Sequence, residues 1–274
     1  MPITNIQARI LRLLAKQRDP ESYVAGSTPL NQKAKRYSND IDIFHDREEL
    51  VRAAASADEA TLVAAGYQVD WLRRLTTIQT ANIAFAGERT KLEWVFDSDF
   101  RFFPTVPDEI FGYMLHPVDL AMNKVMAAAG RRALRDLIDL VTINQTVLPL
   151  GAIVWAAVEK SPGFTPEGLI AEIARNSHYP RDEWILLHTE TPLDPVEVSR
   201  QLRAILTEAE AFVAQMPTAK AGLLFLKDGK VVQPDPTRLD EYQTHAGERR
   251  GHWPSSPEIA AAMLERIQAA DNAE

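Results

Sequence analysis

The feature that most constrains this chain is a change of pattern at Pro104 and Pro107. Before these prolines, short alternations of apolar and polar residues recur between helical stretches. Beyond them, apolar residues recur at helical spacing. In the first part, Ile6, Ile10, Leu13 and Leu14 predict a helix stopped at Asp19-Pro20, and residues 22–25 predict a short strand running into Gly26-Ser27. Residues 28–35 fit a brief polar helix or loop, and the alternation over 39–44 predicts a strand. The Ala- and Glu-rich stretch 47–65 predicts a helix closed by Gly66. Residues 67–75, 78–85 and 91–96 then predict three strands close enough to pair as a meander. After the prolines, helices are expected over 116–129, 133–143, 150–159, 166–175 and 195–215. A hairpin is expected within 222–232, because Asp228-Gly229 supplies the positive φ angles of a tight turn. A polar loop and a closing helix over 257–270 complete the chain. The expected class is α+β, with an N-terminal α+β domain over 1–117 and a mainly helical domain with a late β-hairpin over 118–274.

Composition removes several chemistries. The 274 residues are enough to bury a core without covalent staples, and the absence of cysteine excludes disulfides, Cys-ligated zinc, iron–sulfur clusters and thiol nucleophiles. A net charge of −8 argues against coating nucleic acid by bulk charge, but leaves room for a local basic site. The six histidines never take His-x3-His spacing, and neither a P-loop, a Gly-x-Gly-x-x-Gly turn nor a Gly-x-Ser-x-Gly elbow is present. The longest apolar stretch, 147–158, is too short to span a bilayer, and residues 1–19 are amphipathic, unlike a signal peptide. A soluble, cytoplasmic protein without a membrane partner is therefore expected.

Two groups of residues carry chemistry. On a strand, Asp40 and Asp42 project from one face while Ile41 and Ile43 point into the core. Two neighbouring carboxylates repel unless a cation lies between them, and hard divalent cations prefer such oxygen ligands together with phosphate oxygens. The Gly26-Ser27 turn upstream would let backbone N–H groups approach phosphates closely. A third carboxylate from a neighbouring strand would complete a site able to clamp attacking and leaving oxygens. Glu93 is the first candidate and Asp97 and Asp99 are the next, since strand register is not fixed by one sequence. The alternative for Asp40 and Asp42 is an exposed polar strand end. The second group is Lys124, Arg131-Arg132 and Arg135-Asp136-Leu137-Ile138-Asp139-Leu140. On a helix Arg135, Asp136 and Asp139 share a face, which also fits a solvated surface with local ion pairs such as Arg135–Asp139.

Together the two groups resemble the AbiEii-type nucleotidyltransferases, polymerase-beta-like enzymes known chiefly as toxins of toxin–antitoxin systems. The family's first motif matches Gly26-Ser27 and Arg36-Tyr37-Ser38-Asn39-Asp40-Ile41-Asp42-Ile43-Phe44. Its second matches Lys124, then Arg131 or Arg132, then Arg135-Asp136-Leu137-Ile138-Asp139-Leu140. Pro29 and the long basic connection from Ser27 to Arg36 depart from the family pattern. The motif region, 23–143, is a little under half the chain. The resemblance implies a mixed sheet flanked by helices and transfer of a nucleoside monophosphate from an NTP. It implies Mg²⁺, or Mn²⁺, on Asp40 and Asp42 with Glu93. Gly26, Ser27, Arg36, Lys124, Arg131 and Arg135 are implied to bind the nucleotide. Lys124, Asp136 and Asp139 carry over as functional positions. The implied acceptor is RNA, with tRNA 3′ ends favoured and Lys33, Lys35 and Arg36 placed to grip phosphates, and a cognate antitoxin is an implied partner. A small-molecule acceptor, or a nucleotide-binding module without turnover, are the alternatives.

Overall fold

The computed structural model describes residues 3–30, 36–161 and 163–249. Helix α1 (Asn5–Leu14) opens on a capping box in which Thr4 and Gln7 satisfy each other's backbone N–H groups. Strand β1 (Ser22–Ala25), the single-turn α2 (Ser27–Leu30), strand β2 (Asp40–His45) and helix α3 (Glu48–Ala64) follow. The expected meander is present as β3 (Gln68–Arg74), β4 (Ile78–Phe85) and β5 (Glu88–Phe96), paired antiparallel in sequence order.

Strand also continues past Pro104, where helix was expected. The short strands β6 (Val106–Asp108) and β7 (Gly112–Met114) form a hairpin, and β7 adds to β1 in parallel through Val24 and Met114. Three residues carry too little periodicity to be read locally, and Pro107 is tolerated because β6 is the sheet's edge. The result is a mixed seven-stranded sheet of order β3-β4-β5-β2-β1-β7-β6.

One face of that sheet is closed by α1 and α3. Ile41 and Ile43 of β2, Ala81 and Ile83 of β4, and Leu92 and Trp94 of β5 are buried there against Ile6, Ile10, Val51 and Leu62. Alternation then obliges Asp40, Asp42 and Phe44 to face the other side.

Helices α4 (Pro117–Gly130), α5 (Leu134–Thr146), α6 (Leu150–Ala157), α7 (Pro166–Arg175) and α9 (Pro195–Val213) pack around a second core that includes Val125, Leu140, Ile153, Leu169 and Phe212. The short α8 (Arg181–Ile185) has no apolar periodicity to announce it. The expected hairpin is β8 (Leu224–Lys227) with β9 (Lys230–Val232). The polar loop after it contains a third strand, β10 (Gln243–His245), held antiparallel to β8 by backbone hydrogen bonds that its sequence does not advertise. The closing helix expected over 257–270 lies outside the described residues, as do Lys33 and Lys35.

Asp119 ties the helices to the sheet. Its fully buried carboxylate accepts from the backbone N–H groups of Phe102 at 2.9 Å and Phe103 at 3.0 Å. This ties the start of α4 to the loop that follows β5. Among the described residues no single helix is long and apolar enough to cross a membrane.

Candidate active site

The site is built on strand register. β2 and β5 run parallel, with Asp40 opposite Lys91 and Asp42 opposite Glu93. One carboxylate oxygen from each of Asp40, Asp42 and Glu93 can be chosen so that all three lie within 4.8 Å of one another. Asp97, two turns of the pleat further along, lines the same cavity but is not part of that group, and Asp99 does neither.

Gly26 closes the triad from β1. Its φ of +67° is a conformation that L side chains rarely adopt, and a Cβ there would collide with Asp42 Oδ2. Asp42 consequently has backbone packed against it, and it has no ion-pair or hydrogen-bond partner among the described residues. Burial, then the adjacent Asp40 and Glu93 carboxylates, push Asp42 up to about 7 against the opposing pull of Lys124 and Lys91. A half-buried, repelled carboxylate of this kind could be relieved by a cation. Lys91 already supplies one on the neighbouring oxygens, with Nζ 3.3 Å from Asp40 Oδ2 and 3.0 Å from Glu93 Oε1. The donor set is all oxygen, which suits Mg²⁺ or Mn²⁺ and excludes a thiolate- or imidazole-type centre at this place.

Small hydroxyls fix the turn beneath the triad. The Ser38 hydroxyl donates to the Asp40 carbonyl at 2.8 Å, and the Thr28 hydroxyl lies 2.9 Å from the same oxygen. Ser27 Oγ stands 3.3 Å from Ser38 Oγ. Gln7, from α1, holds the Ser38 carbonyl at 3.0 Å, so the first helix also positions this turn.

Opposite the triad stands a wall of alternating charge. Lys124 of α4 places Nζ 3.0 Å from Asp136 Oδ1 and 3.0 Å from Asp139 Oδ2. Arg131 grips Asp136 through Nε at 2.7 Å and Nη2 at 3.1 Å. Arg36 grips Asp139 through Nε at 3.0 Å and Nη2 at 2.9 Å. The order is Arg36–Asp139–Lys124–Asp136–Arg131, three cations and two carboxylates, so one positive charge is left over toward the triad. Burial disfavours the charged form of Lys124, but Asp139 and Asp136 outweigh it and raise its pKa, which keeps the ammonium protonated. Burial likewise opposes the Asp136 carboxylate, yet Arg131 and Lys124 hold it below the ordinary value.

The structure therefore distributes the sequence candidates between two places. Gly26, Ser27, Asp40, Asp42, Glu93, Lys124, Arg131 and Arg135 all line one cavity of about 500 Å³. Arg36, Asp136 and Asp139 do not line it and are buried behind it. The solvated helix face suggested by Arg135-Asp136-x-x-Asp139 is not what forms. Asp136 and Asp139 face inward, and Asp139 is paired with Arg36 and Lys124 and not with Arg135. Arg132 turns away to Glu183 and the His178 carbonyl. Beyond the carboxylates the cavity becomes apolar, with Phe44, Ile78 and Val95 from the sheet and Leu120 and Met126 from α4. Lys91 and Thr28 escaped the sequence reasoning. The signal for Lys91 was its place two residues before Glu93, on the same strand face.

No family model matches the sequence, and no curated protein does. Solved structures of similar shape are found. A candidate nucleotidyltransferase from H. pylori has a TM-score of 0.46 at 15% identity, over 77% of this chain and 93% of its own. MenT4, a nucleotidyltransferase toxin from Mycobacterium tuberculosis H37Rv, has a TM-score of 0.49 at 15% identity, over 76% of this chain and 85% of its own. The poly(U) polymerase Cid1, solved with MgGTP bound, has a TM-score of 0.30 at 12% identity, over 73% of this chain and 68% of its own.

Proposed function

We propose that this chain is a metal-dependent nucleotidyltransferase that moves a nucleoside monophosphate from an NTP to the 3′ end of an RNA, with tRNA the favoured acceptor. One observation carries the proposal: three carboxylates on a sheet face a cationic helix wall across one cavity with an apolar far end. Asp40, Asp42 and Glu93 would hold Mg²⁺, which when bound neutralises phosphate charge and aligns the reacting oxygens. Ser27 and the backbone of the Gly26 turn approach the triphosphate from β1. Lys124, Arg131 and Arg135 meet its negative charge from the opposite wall, Lys124 being fixed by two aspartates. The acceptor hydroxyl oxygen bonds to the α-phosphorus as the bond to the β-phosphate oxygen breaks and pyrophosphate leaves. The hydroxyl proton passes to a carboxylate of the triad. Catalysis is then mostly alignment and charge neutralisation. Phe44, Ile78 and Val95 offer an apolar surface for a base. The AbiEii-like order of the motifs supports a cytoplasmic toxin neutralised by a cognate antitoxin.

The test is incubation of the full chain with each labelled NTP, Mg²⁺ and total RNA. Label on RNA 3′ ends, lost in Asp42→Asn, is the expected result. RNA affinity should fall with added salt, and reversing Lys33 and Lys35 to Glu should weaken RNA binding more than NTP binding. Salt-insensitive transfer to a small molecule would replace the RNA acceptor. Nucleotide binding with no transfer under any condition would reduce the chain to a binding module.

A further inference from the structure

We propose that Lys91 is a built-in placeholder cation that keeps one of the two cation positions of the carboxylate triad closed until substrate arrives. The inference rests on the reading of Asp40, Asp42 and Glu93 as metal-holding residues and concerns how that site is loaded. Three carboxylates on two adjacent strands can offer a divalent cation two places. One is shared by all three residues; the other lies on Asp40 and Asp42 alone, where substrate phosphates complete the coordination. The ammonium of Lys91 contacts Asp40 Oδ2 at 3.3 Å and Glu93 Oε1 at 3.0 Å. It therefore bridges the two oxygens that only the first place requires in common, and it leaves Asp42 untouched. A divalent ion ligated by all three residues would stand a few ångströms from this ammonium, a repulsion that a partly buried site screens poorly.

The arrangement follows from strand register and is not an accident of a long side chain. Parallel pairing puts Lys91 directly beside Asp40, and the two-residue period puts it on the same face as Glu93. Its side chain is 36% exposed, and its other cross-strand neighbour is the exposed Asn82 of β4. Lys91 can thus swing outward over β4 without burying its charge. In the metal-free chain it offsets mutual repulsion in the triad. An incoming nucleotide joins the divalent cation at the open Asp40–Asp42 place and gives the displaced ammonium a new anionic neighbour. Loading is then ordered, nucleotide and its cation first, the three-carboxylate position second. A site whose second position fills only with substrate present has no complete metal centre to spend on unproductive chemistry.

The experiment is Mn²⁺ titration of the full chain by calorimetry and by electron paramagnetic resonance, without nucleotide and then with a non-hydrolysable NTP analogue. The wild type should bind one ion alone and a second only with the analogue. Lys91→Met should bind two without nucleotide, or one about tenfold more tightly, the order expected for removing a competing unit charge. Lys91→Gln, which keeps a polar side chain, should behave the same way. In metal-free buffer both variants should melt below the wild type, and Mn²⁺ should restore them. Wild-type binding of Mn²⁺ with less than a threefold difference, and the same stoichiometry, in both variants would overturn the placeholder role alone. No Mn²⁺ bound by any of the three proteins, with or without the analogue, would overturn the metal site itself.

Discussion

Replacing Asp139 by Asn tests whether the charged wall is held together from behind. Asp139 is buried, accepts two hydrogen bonds from Arg36 and contacts the Lys124 ammonium at 3.0 Å. The amide keeps the shape but removes the charge, and it turns an –NH₂ toward groups that can only donate. The wall then carries three cations against one carboxylate: buried Arg36 loses its counter-charge, and Lys124 is left with Asp136 alone. Breaking a buried pair by removing one member costs about 3–5 kcal/mol, because the other stays desolvated and unpaired. Equilibrium unfolding in urea at pH 7.5 should show that loss as a lower midpoint with an unchanged slope. The double variant Arg36→Met with Asp139→Leu should recover most of it, since an apolar pair of similar volume removes the desolvation cost with the charges. Lys124 keeps Asp136 in that variant. A loss below about 1 kcal/mol in Asp139→Asn would refute the reasoning, since that is the range of an exposed pair.

The site and the back of the sheet give further tests. Asp42→Asn removes a repelled carboxylate without a partner, so the metal-free melting temperature at pH 8 should stay level or rise while Mn²⁺ binding and transfer are lost; a fall in melting temperature would contradict this. Gly26→Ala forces a Cβ into Asp42 Oδ2 at a positive φ, and should cost at least about 1 kcal/mol in urea unfolding and abolish Mn²⁺ binding. His45 is fully buried, its two ring nitrogens have no hydrogen-bond partner among the described residues, and burial followed by the nearby Arg18 charge lowers its pKa to about 3. The unfolded chain takes up that proton near 6.5 and the folded chain does not, so this contribution to stability is complete above 6.5 and is lost as pH falls toward 3. Unfolding midpoints measured from pH 7 to pH 4 should fall more steeply for the wild type than for His45→Gln, and parallel slopes would remove His45 as a cause.

Much of this protein is written locally. The alternation from Asn39 to Phe44 determines that β2 is a strand with carboxylates on one face and isoleucines on the other, because side-chain direction in a strand is a property of the backbone alone. The helices α4 and α5 and the meander β3–β5 are legible for the same reason. What the tertiary structure decided is which residues meet. Parallel pairing of β2 with β5 chose Glu93 over Asp97 and Asp99 as the carboxylate beside Asp42, and it brought Lys91 to Asp40. Parallel pairing with β1 made a strand of Gly112–Met114, three residues with no periodicity of their own. Arg36 lies beside Asp40 in the sequence, yet it reaches across 103 positions to Asp139 and away from the cavity. Arg135, four residues from Asp139, stays free of it and lines the cavity. Local spacing fixes which residues share a face. The partner of a charged side chain is fixed by which opposite charge is buried beside it, and that depends on segments the sequence keeps far apart.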